Sequence, residues 1–272
     1  MRKYLFYFLL AAFITGLFLM IYYSVPPRPQ SAERDIAWHK VKMDGSRRVR
    51  QYTDSTTAAW KAVHLLDSLE AGMEKYKEVI GYSAGEYANL RDQADLPLGN
   101  LLADAMRERG SKEFGVRMDI ALANYGGIRI PMAAGPITLG DMFAMFPFDN
   151  KLVYVTITGE ELMRLMEQLA KTPAFQPMSG VKVRVKDHEL KEVTVGGRPV
   201  NPSRLYNMVT VDFLLLGGDK LYIGAMATDI VSSENLTIRD VMLDYVKSRQ
   251  ASYRNVTAYS DGRIIMENKD ED

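Results

Sequence analysis

The sequence contains no cysteine, and this absence removes several kinds of chemistry at once. Disulfide bonds, zinc–thiolate sites, iron–sulfur clusters and thiol nucleophiles all require cysteine. A lipid anchor attached through a cysteine is excluded for the same reason. The chemistry of this chain must therefore come from oxygen and nitrogen groups.

Histidine is almost as scarce, because the 272 residues include only His39, His64 and His188. None of the three lies in an Asp-x-His, Gly-Asn-His or His-x-His setting, or near other metal-ligand residues at a workable spacing. No Ser-His-Asp arrangement or nucleophile elbow takes their place. We therefore expect no catalytic residue, no metal site and no bound cofactor on this chain itself.

The sequence also lacks an excess of either charge, since Lys+Arg and Asp+Glu both number 34. A protein held to nucleic acid through phosphate contacts normally carries a basic excess, so we expect no nucleic-acid partner. A hydrophobic content of 47% with 25% charged residues is typical of a folded globular domain with a sizeable core.

The amino terminus does contain a long apolar run, Tyr4–Ser24, which follows Arg2 and Lys3. About 20 apolar residues span a bilayer, whereas a cleaved signal peptide has a shorter apolar centre and a small-x-small cleavage site. No such site follows, and prolines at 26, 27 and 29 come instead. We favour an uncleaved signal anchor, a transmembrane helix with a Pro-rich spacer at 1–29, over a cleaved signal. The basic residues would stay in the cytoplasm, which predicts a single-pass protein of the cytoplasmic membrane with its folded part on the extracytoplasmic (periplasmic) side.

The rest of the chain changes its hydrophobic period repeatedly between that of strands and that of helices. The pattern predicts a lead-in segment and a long helix at 30–78. It predicts a folded domain at 79–266 and an acidic tail at 267–272. Predicted strands lie at 78–82, 118–123, 151–157, 181–186, 190–195, 206–213 and 263–265, and predicted helices at 96–106, 139–146, 159–169 and 238–247. Without an internal repeat or a second linker, this order predicts a single α+β domain with a mixed sheet.

Three predicted turns combine special backbone residues with side chains that suit ligand recognition: the first turn (Asn124–Arg129), the second turn (Phe146–Asn150) and the third turn (Phe213–Asp219). Together they offer aromatic rings that stack on a base, an acid for ribose hydroxyls and an arginine for phosphate. This set favours a nucleotide or nucleoside as ligand. Taken singly, each turn is more typical of an ordinary strand end or core residue.

Five motifs in order, LPLGNLLADAM, NYGGIR, PFDN, TGEEL and DFLLLGGD, give the sequence a family resemblance. From about Val79 to Ile265 the chain resembles the C-terminal domain of the 5′-nucleotidases, metallophosphoesterases that remove phosphate from extracytoplasmic nucleotides. The resemblance implies an α+β domain that holds the nucleoside. It implies that Phe148 and Phe213 stack on the base and that Asp219 holds the ribose. The substrate-binding set it implies is Asn124, Gly126, Gly127, Arg129, Phe148, Asn150, Phe213, Gly218 and Asp219.

The sequence departs from the family pattern at four positions. Tyr125 stands where a third glycine is common, and Asp149 and Lys220 replace the last glycines of PFG and GGDG. Asp92 stands where the family has a second arginine, with Arg91 one place away. The replacements at Asp149 and Lys220 affect which ligand shape the site would accept. The replacement at Asp92 affects how tightly the site would bind a phosphate.

In the family, a separate N-terminal domain rich in histidine and aspartate carries two metals, and its motifs are absent from this sequence. The leading hypothesis is therefore a nucleotide- or nucleoside-binding component of an extracytoplasmic 5′-nucleotidase. Its divalent metals and catalysis would belong to a separate metallophosphoesterase chain. Two alternatives stay open: a nucleotide sensor with no enzymatic partner, and a scaffold protein of the cell envelope whose pocket no longer binds.

Overall fold

The computed structural model describes residues 72–90, 93–173 and 175–267. These residues all belong to one compact unit. The predicted signal anchor, the Pro-rich spacer, most of the lead-in segment, residues Arg91 and Asp92, and tail residues 268–272 lie outside them. Within the described ranges, no helix is both long enough and apolar enough to cross a membrane.

The described residues form six α-helices and eleven strands, together with three short 3₁₀ turns. The helices are α1 (Pro97–Glu113), α2 (Leu139–Met145), α3 (Gly159–Ala170), α4 (Asp212–Leu215), α5 (Ile223–Met226) and α6 (Ile238–Ala251). The strands are β1 (Val79–Ser83), β2 (Ile120–Leu122), β3 (Gly135–Thr138), β4 (Lys151–Thr158), β5 (Met178–Ser179), β6 (Val181–Lys186), β7 (Glu189–Val195), β8 (Arg198–Pro199), β9 (Leu205–Val211), β10 (Ala227–Thr237) and β11 (Ile264–Glu267).

The strands form three sheets, of which the largest has the order β10-β4-β9-β2-β5. In that sheet β2 runs parallel to β9, while β4 runs antiparallel to both β9 and β10. A second sheet has the order β11-β6-β7-β8, and β1 pairs with β3. The predicted α+β class with mixed sheets is confirmed, although the strands divide among three sheets.

Helices cover the large sheet because its central strands are apolar on both faces. Every residue of β2 is buried, and most residues of β4 and β9 are buried as well. Helix α1 packs on β2, β5 and β9, whereas α3 packs on β4 and β7. By contrast, β6 alternates buried and exposed residues strictly, so its lysines and arginine form a solvated face, as the alternation in its sequence predicts.

The sequence predicts that Gly110 ends α1, but the helix continues beyond it. The helix continues to Glu113, and a side chain at 110 would come within 3.0 Å of Val209 on β9. Gly110 therefore permits close packing of the helix on the sheet and has no role as a helix stop. A buried, packed glycine and a terminal glycine give the same signal in a single sequence.

The TGEEL motif predicts a capping box formed by Thr158 and Glu161 at the start of α3, and this box is half formed. The Thr158 hydroxyl accepts a hydrogen bond from the backbone N–H of Glu161 at 3.2 Å, as an N-cap does. The Glu161 side chain instead pairs with Arg164 at 2.5 Å. Complete capping boxes begin α2 and α6, at Thr138 with Asp141 and at Thr237 with Asp240.

Candidate functional site

The three predicted turns meet at one edge of the five-stranded sheet. Because β2 and β9 are parallel, their carboxyl ends lie at the same edge, and these ends lead into the first and third turns. Strand β4 is antiparallel to β9, with Leu152 opposite Val211, so its amino end lies there too and the second turn leads into it. The loop before β5 also reaches this edge, because Met178 pairs with Leu122 at the end of β2.

The first turn is built into the core. Asn124 is 3% exposed, and its carbonyl accepts a hydrogen bond from the backbone N–H of Gly127 at 3.1 Å. A side chain at Gly126 or Gly127 would come within 3.1 or 3.0 Å of the Asn124 amide. The two glycines therefore leave room for the Asn124 side chain beneath them.

Tyr125, which replaces a family glycine, packs the first turn against helix α1. Its side chain is 4% exposed, and a side chain at Gly99 of α1 would lie 2.8 Å from its ring. The Tyr125 hydroxyl accepts a hydrogen bond from the backbone N–H of Leu96 at 3.4 Å. Burial raises the pKa of the Tyr125 phenol to about 12, so this hydroxyl is neutral at physiological pH. The substitution therefore adds packing against the LPLGN motif and no charge.

Arg129 of the first turn and Phe148 of the second turn are in contact with each other. The Arg129 guanidinium carbon lies 5.7 Å from the centroid of the Phe148 ring, within the range of a cation–π contact. The Arg129 backbone N–H donates to the Met145 carbonyl at 2.9 Å, which ties the first turn to the end of α2. The Phe148 ring is 44% exposed, and Arg129 pairs with no carboxylate among the described residues. Both groups are accessible to a ligand.

Arg239, at the start of α6, holds the second turn and was not predicted from the sequence. Its guanidinium donates to the Phe146 carbonyl at 3.0 Å and to the Asp149 carboxylate, and its carbon lies 4.4 Å from the Phe143 ring centroid. The backbone of Asp149 has no positive φ, so this turn does not need the family glycine. Asn150 is half-buried, and its carbonyl accepts a hydrogen bond from the Ile238 backbone at 3.0 Å.

The third turn is more exposed and more strained. Phe213 is 41% exposed, and its ring lies against Gly218, where an added side chain would come within 2.3 Å of it. Gly217 has φ 101°, which favours glycine. Asp219 and Lys220 also have positive φ, at 51° and 62°, although neither is a glycine.

Gln176 links the first turn to the third and was also missed. Its side-chain oxygen accepts from the Tyr125 backbone N–H at 2.9 Å, and its side-chain nitrogen donates to the Asp219 carboxylate at 3.2 Å. Gln176 precedes β5 in an irregular segment, where no periodicity or motif distinguishes it. Only the pairing of β5 with β2 brings it between the two turns.

Among the described residues, Phe148 and Phe213 make no ring–ring contact with each other. Two surface clefts of about 370 and 470 Å³ lie elsewhere, between α3 and β7 and between α1 and α6, and contain none of the predicted site residues. In residues 72–90, 93–173 and 175–267, no group of three or more histidine, aspartate or glutamate side chains could hold a metal ion. Asp92 lies outside those ranges.

Comparison with known proteins agrees with the resemblance of the motifs. The family model described as "5'-nucleotidase, C-terminal domain" matches residues 79–228, which is more than half of the chain. The chain is 26% identical over 199 residues to protein UshA of Escherichia coli, covering 70% of this chain and 34% of UshA. It is 28% identical over 211 residues to the cell wall protein Lmo0130 of Listeria monocytogenes, covering 72% of this chain and 26% of that protein.

Among solved structures, a 5'-nucleotidase precursor from Thermus thermophilus matches with a TM-score of 0.66 and 26% identity, over 78% of this chain and 43% of that one. The chain thus spans between about a quarter and a third of the two curated relatives. The match of the family model to the folded domain identifies the family. The chain belongs to the 5′-nucleotidase C-terminal domain family.

Proposed function

We propose that this chain is the nucleotide- or nucleoside-binding component of an extracytoplasmic 5′-nucleotidase whose metal-dependent catalytic domain is carried by a separate chain. One observation carries the proposal. Three turns that are far apart in the sequence meet at one sheet edge, and their aromatic, acidic, amide and cationic groups are those that bind a nucleotide.

The roles of individual residues are those that the family resemblance implies, and the exposure and charge of these residues support them. Phe148 and Phe213, each about two-fifths exposed, offer ring faces on which a base stacks. The exposed Asp219 carboxylate accepts hydrogen bonds from ribose hydroxyls. Arg129 lies against the Phe148 ring and has a planar set of donors for a phosphate oxygen. Asn124, Gly126, Gly127, Asn150 and Gly218 shape the backbone around these groups.

The chemistry of hydrolysis comes from the partner in this proposal. The described residues contain no candidate metal cluster, and a phosphoester is normally cleaved in this context by a metal-activated water. The partner is a metallophosphoesterase chain that brings its own divalent metal ions. The apolar run at Tyr4–Ser24 anchors the complex outside the cytoplasmic membrane. One relative, from Listeria monocytogenes, is named a cell wall protein, which is compatible with this location.

The proposal is tested by measuring phosphate release from AMP by a metallophosphatase chain that lacks this domain, with and without the present chain. We expect a several-fold higher rate at low AMP when both chains are present, and loss of the gain with Phe213→Ala. Tyr259→Ala, which removes a 68% exposed aromatic ring that belongs to none of the three turns, is the matched control and should retain the gain. An unchanged rate on mixing would contradict the split enzyme. If AMP still bound in that case, a nucleotide sensor would account for the chain instead.

A further inference from the structure

The third turn has an unusual backbone that the surrounding structure must hold in place. Asp219 and Lys220 both adopt the left-handed region, at φ 51° and 62°, which costs an L-residue about 1 kcal/mol or more. Neither residue is buried, so packing does not compensate for this cost. The conformation must therefore be maintained by specific hydrogen bonds.

Within the turn, the backbone N–H groups of Lys220 and Leu221 donate to the carbonyls of Gly217 and Gly218 at 3.2 and 2.9 Å, and two glutamines add hydrogen bonds from outside it. Gln168 of α3 donates to the Lys220 carbonyl at 2.7 Å and so fixes the backbone. Gln176 donates to the Asp219 carboxylate at 3.2 Å and so fixes the side chain. The orientation of the Gln176 amide follows from its other partner, because the Tyr125 backbone N–H can only donate and therefore takes the amide oxygen. The amide nitrogen is then the atom that faces Asp219.

We propose that Gln176 is a positioning residue that aims the Asp219 carboxylate at the vicinal hydroxyls of a ribose, so that the site selects ligands with a cis-diol. The inference rests on the proposed function. A carboxylate has about four acceptor positions, and a single bond from Gln176 to one oxygen leaves the others for two hydroxyl donors.

The test compares the affinities of adenosine and 2′,3′-dideoxyadenosine for the 272-residue chain, measured by calorimetry. The wild type should bind adenosine more tightly. Gln176→Ala should weaken adenosine about 5- to 10-fold, the effect of losing one or two hydrogen bonds, and leave the dideoxy compound within about twofold. Asp219→Ala should do the same, and the double variant should lose no more, because both residues act on the same hydroxyls.

Two control variants separate positioning from general support. Gln168→Ala loosens the backbone of the turn and should weaken both ligands alike. Gln250→Ala, at an exposed position in the last turn of α6, should change neither. Thermal unfolding of each variant shows whether it is folded.

Each remaining outcome decides a different claim. Equal weakening of both ligands by Gln176→Ala would give Gln176 a purely structural role and overturn the inference. Equal binding of the two ligands to the wild type would overturn it too, while leaving the proposed nucleoside site intact. If the wild type bound neither ligand, the proposed function would fall along with the inference.

Discussion

The first and third turns of the site contrast in how each keeps its shape. The first turn is supported from below: Asn124 and Tyr125 are 3% and 4% exposed, and the Tyr125 ring lies against α1. The end of the third turn and the Lys220 that follows it have no buried residue between Gly218 and Lys220, include two non-glycine residues at positive φ, and accept hydrogen bonds from Gln168 and Gln176. The first turn therefore depends mainly on packing, whereas the end of the third turn depends mainly on hydrogen bonds within its backbone and from two glutamine side chains.

This contrast separates stability from recognition. Packing energy grows with buried area, so changes in the first turn should act mainly on folding. Net contributions of exposed hydrogen bonds are small, so changes in the third turn should act mainly on the ligand. The predictions below test this division, beginning with the largest expected effect.

The largest effect is expected for Tyr125→Ala. Removing a buried aromatic ring typically costs about 3–5 kcal/mol of unfolding free energy, since a cavity is left against α1. Phe213→Ala, which removes a ring that is 41% exposed, should cost about 1 kcal/mol or less. Urea denaturation of both variants measures the difference. Comparable losses in the two variants would contradict the division between the turns.

Alkaline pH should weaken the first turn specifically. Burial raises the pKa of Tyr125 from the usual 10.0 to about 12, so the folded state holds this proton more tightly than the unfolded chain does. This proton contributes roughly 2–3 kcal/mol to the free energy of unfolding. The contribution is fully present below pH 10 and is lost as the pH rises towards 12. Tyr125→Phe should flatten this part of the stability–pH profile. An unchanged profile in Tyr125→Phe would contradict this assignment.

The second turn should be intermediate in sensitivity. Arg239 is 13% exposed at its side chain and holds both the Phe146 carbonyl and Asp149, whereas the Asp149 side chain is 78% exposed. Arg239→Ala should therefore cost about 1–3 kcal/mol, and Asp149→Ala less than about 1 kcal/mol. Denaturation of the two single variants and the double variant gives the pair's coupling. A larger cost for Asp149→Ala would show that the exposed carboxylate, not the arginine, holds the turn.

The smallest expected effect is a gain. Lys220→Gly should stabilise the protein by about 0.5–1 kcal/mol, because glycine adopts φ 62° without strain. Tyr253→Gly is the matched control, at φ 55° and 98% exposed beyond the end of α6. Both variants should raise the midpoint of thermal unfolding, but only Lys220→Gly should alter adenosine affinity. A lower midpoint for either would contradict the assigned strain.

The parts of the fold that could be predicted are those with regular periodicity. Strands β6 and β7 and helices α3 and α6 follow from alternation or from an apolar face with a capping threonine. Strand β10 was missed because its sequence, ATDIVSSENLT, is mostly polar and most of it is exposed. Strand β10 pairs with β4, which lies far away in the sequence. No local sequence pattern encodes such a pairing.

The site was predictable to the extent that its groups stand in motifs. The motifs contain the ring–guanidinium contact of Phe148 with Arg129 and the packing of the Phe213 ring on Gly218, and the roles of these residues toward a ligand stay predictions. The groups that hold these residues in place were not predictable. Gln176 bonds to Asp219, which is 43 residues away, and Arg239 bonds to Asp149, which is 90 residues away. An isolated glutamine or arginine carries no sequence signal of its own.

The central claim is that this sheet edge binds a nucleoside between Phe148 and Phe213, and calorimetric titration of the chain with adenosine tests it most directly. We predict saturable binding that weakens by at least about tenfold in Phe148→Ala and in Phe213→Ala, since each ring contributes about 1–3 kcal/mol by stacking on the base. Tyr259→Ala should bind as the wild type does. Absence of binding, or binding that both phenylalanine variants retain in full, would contradict the account.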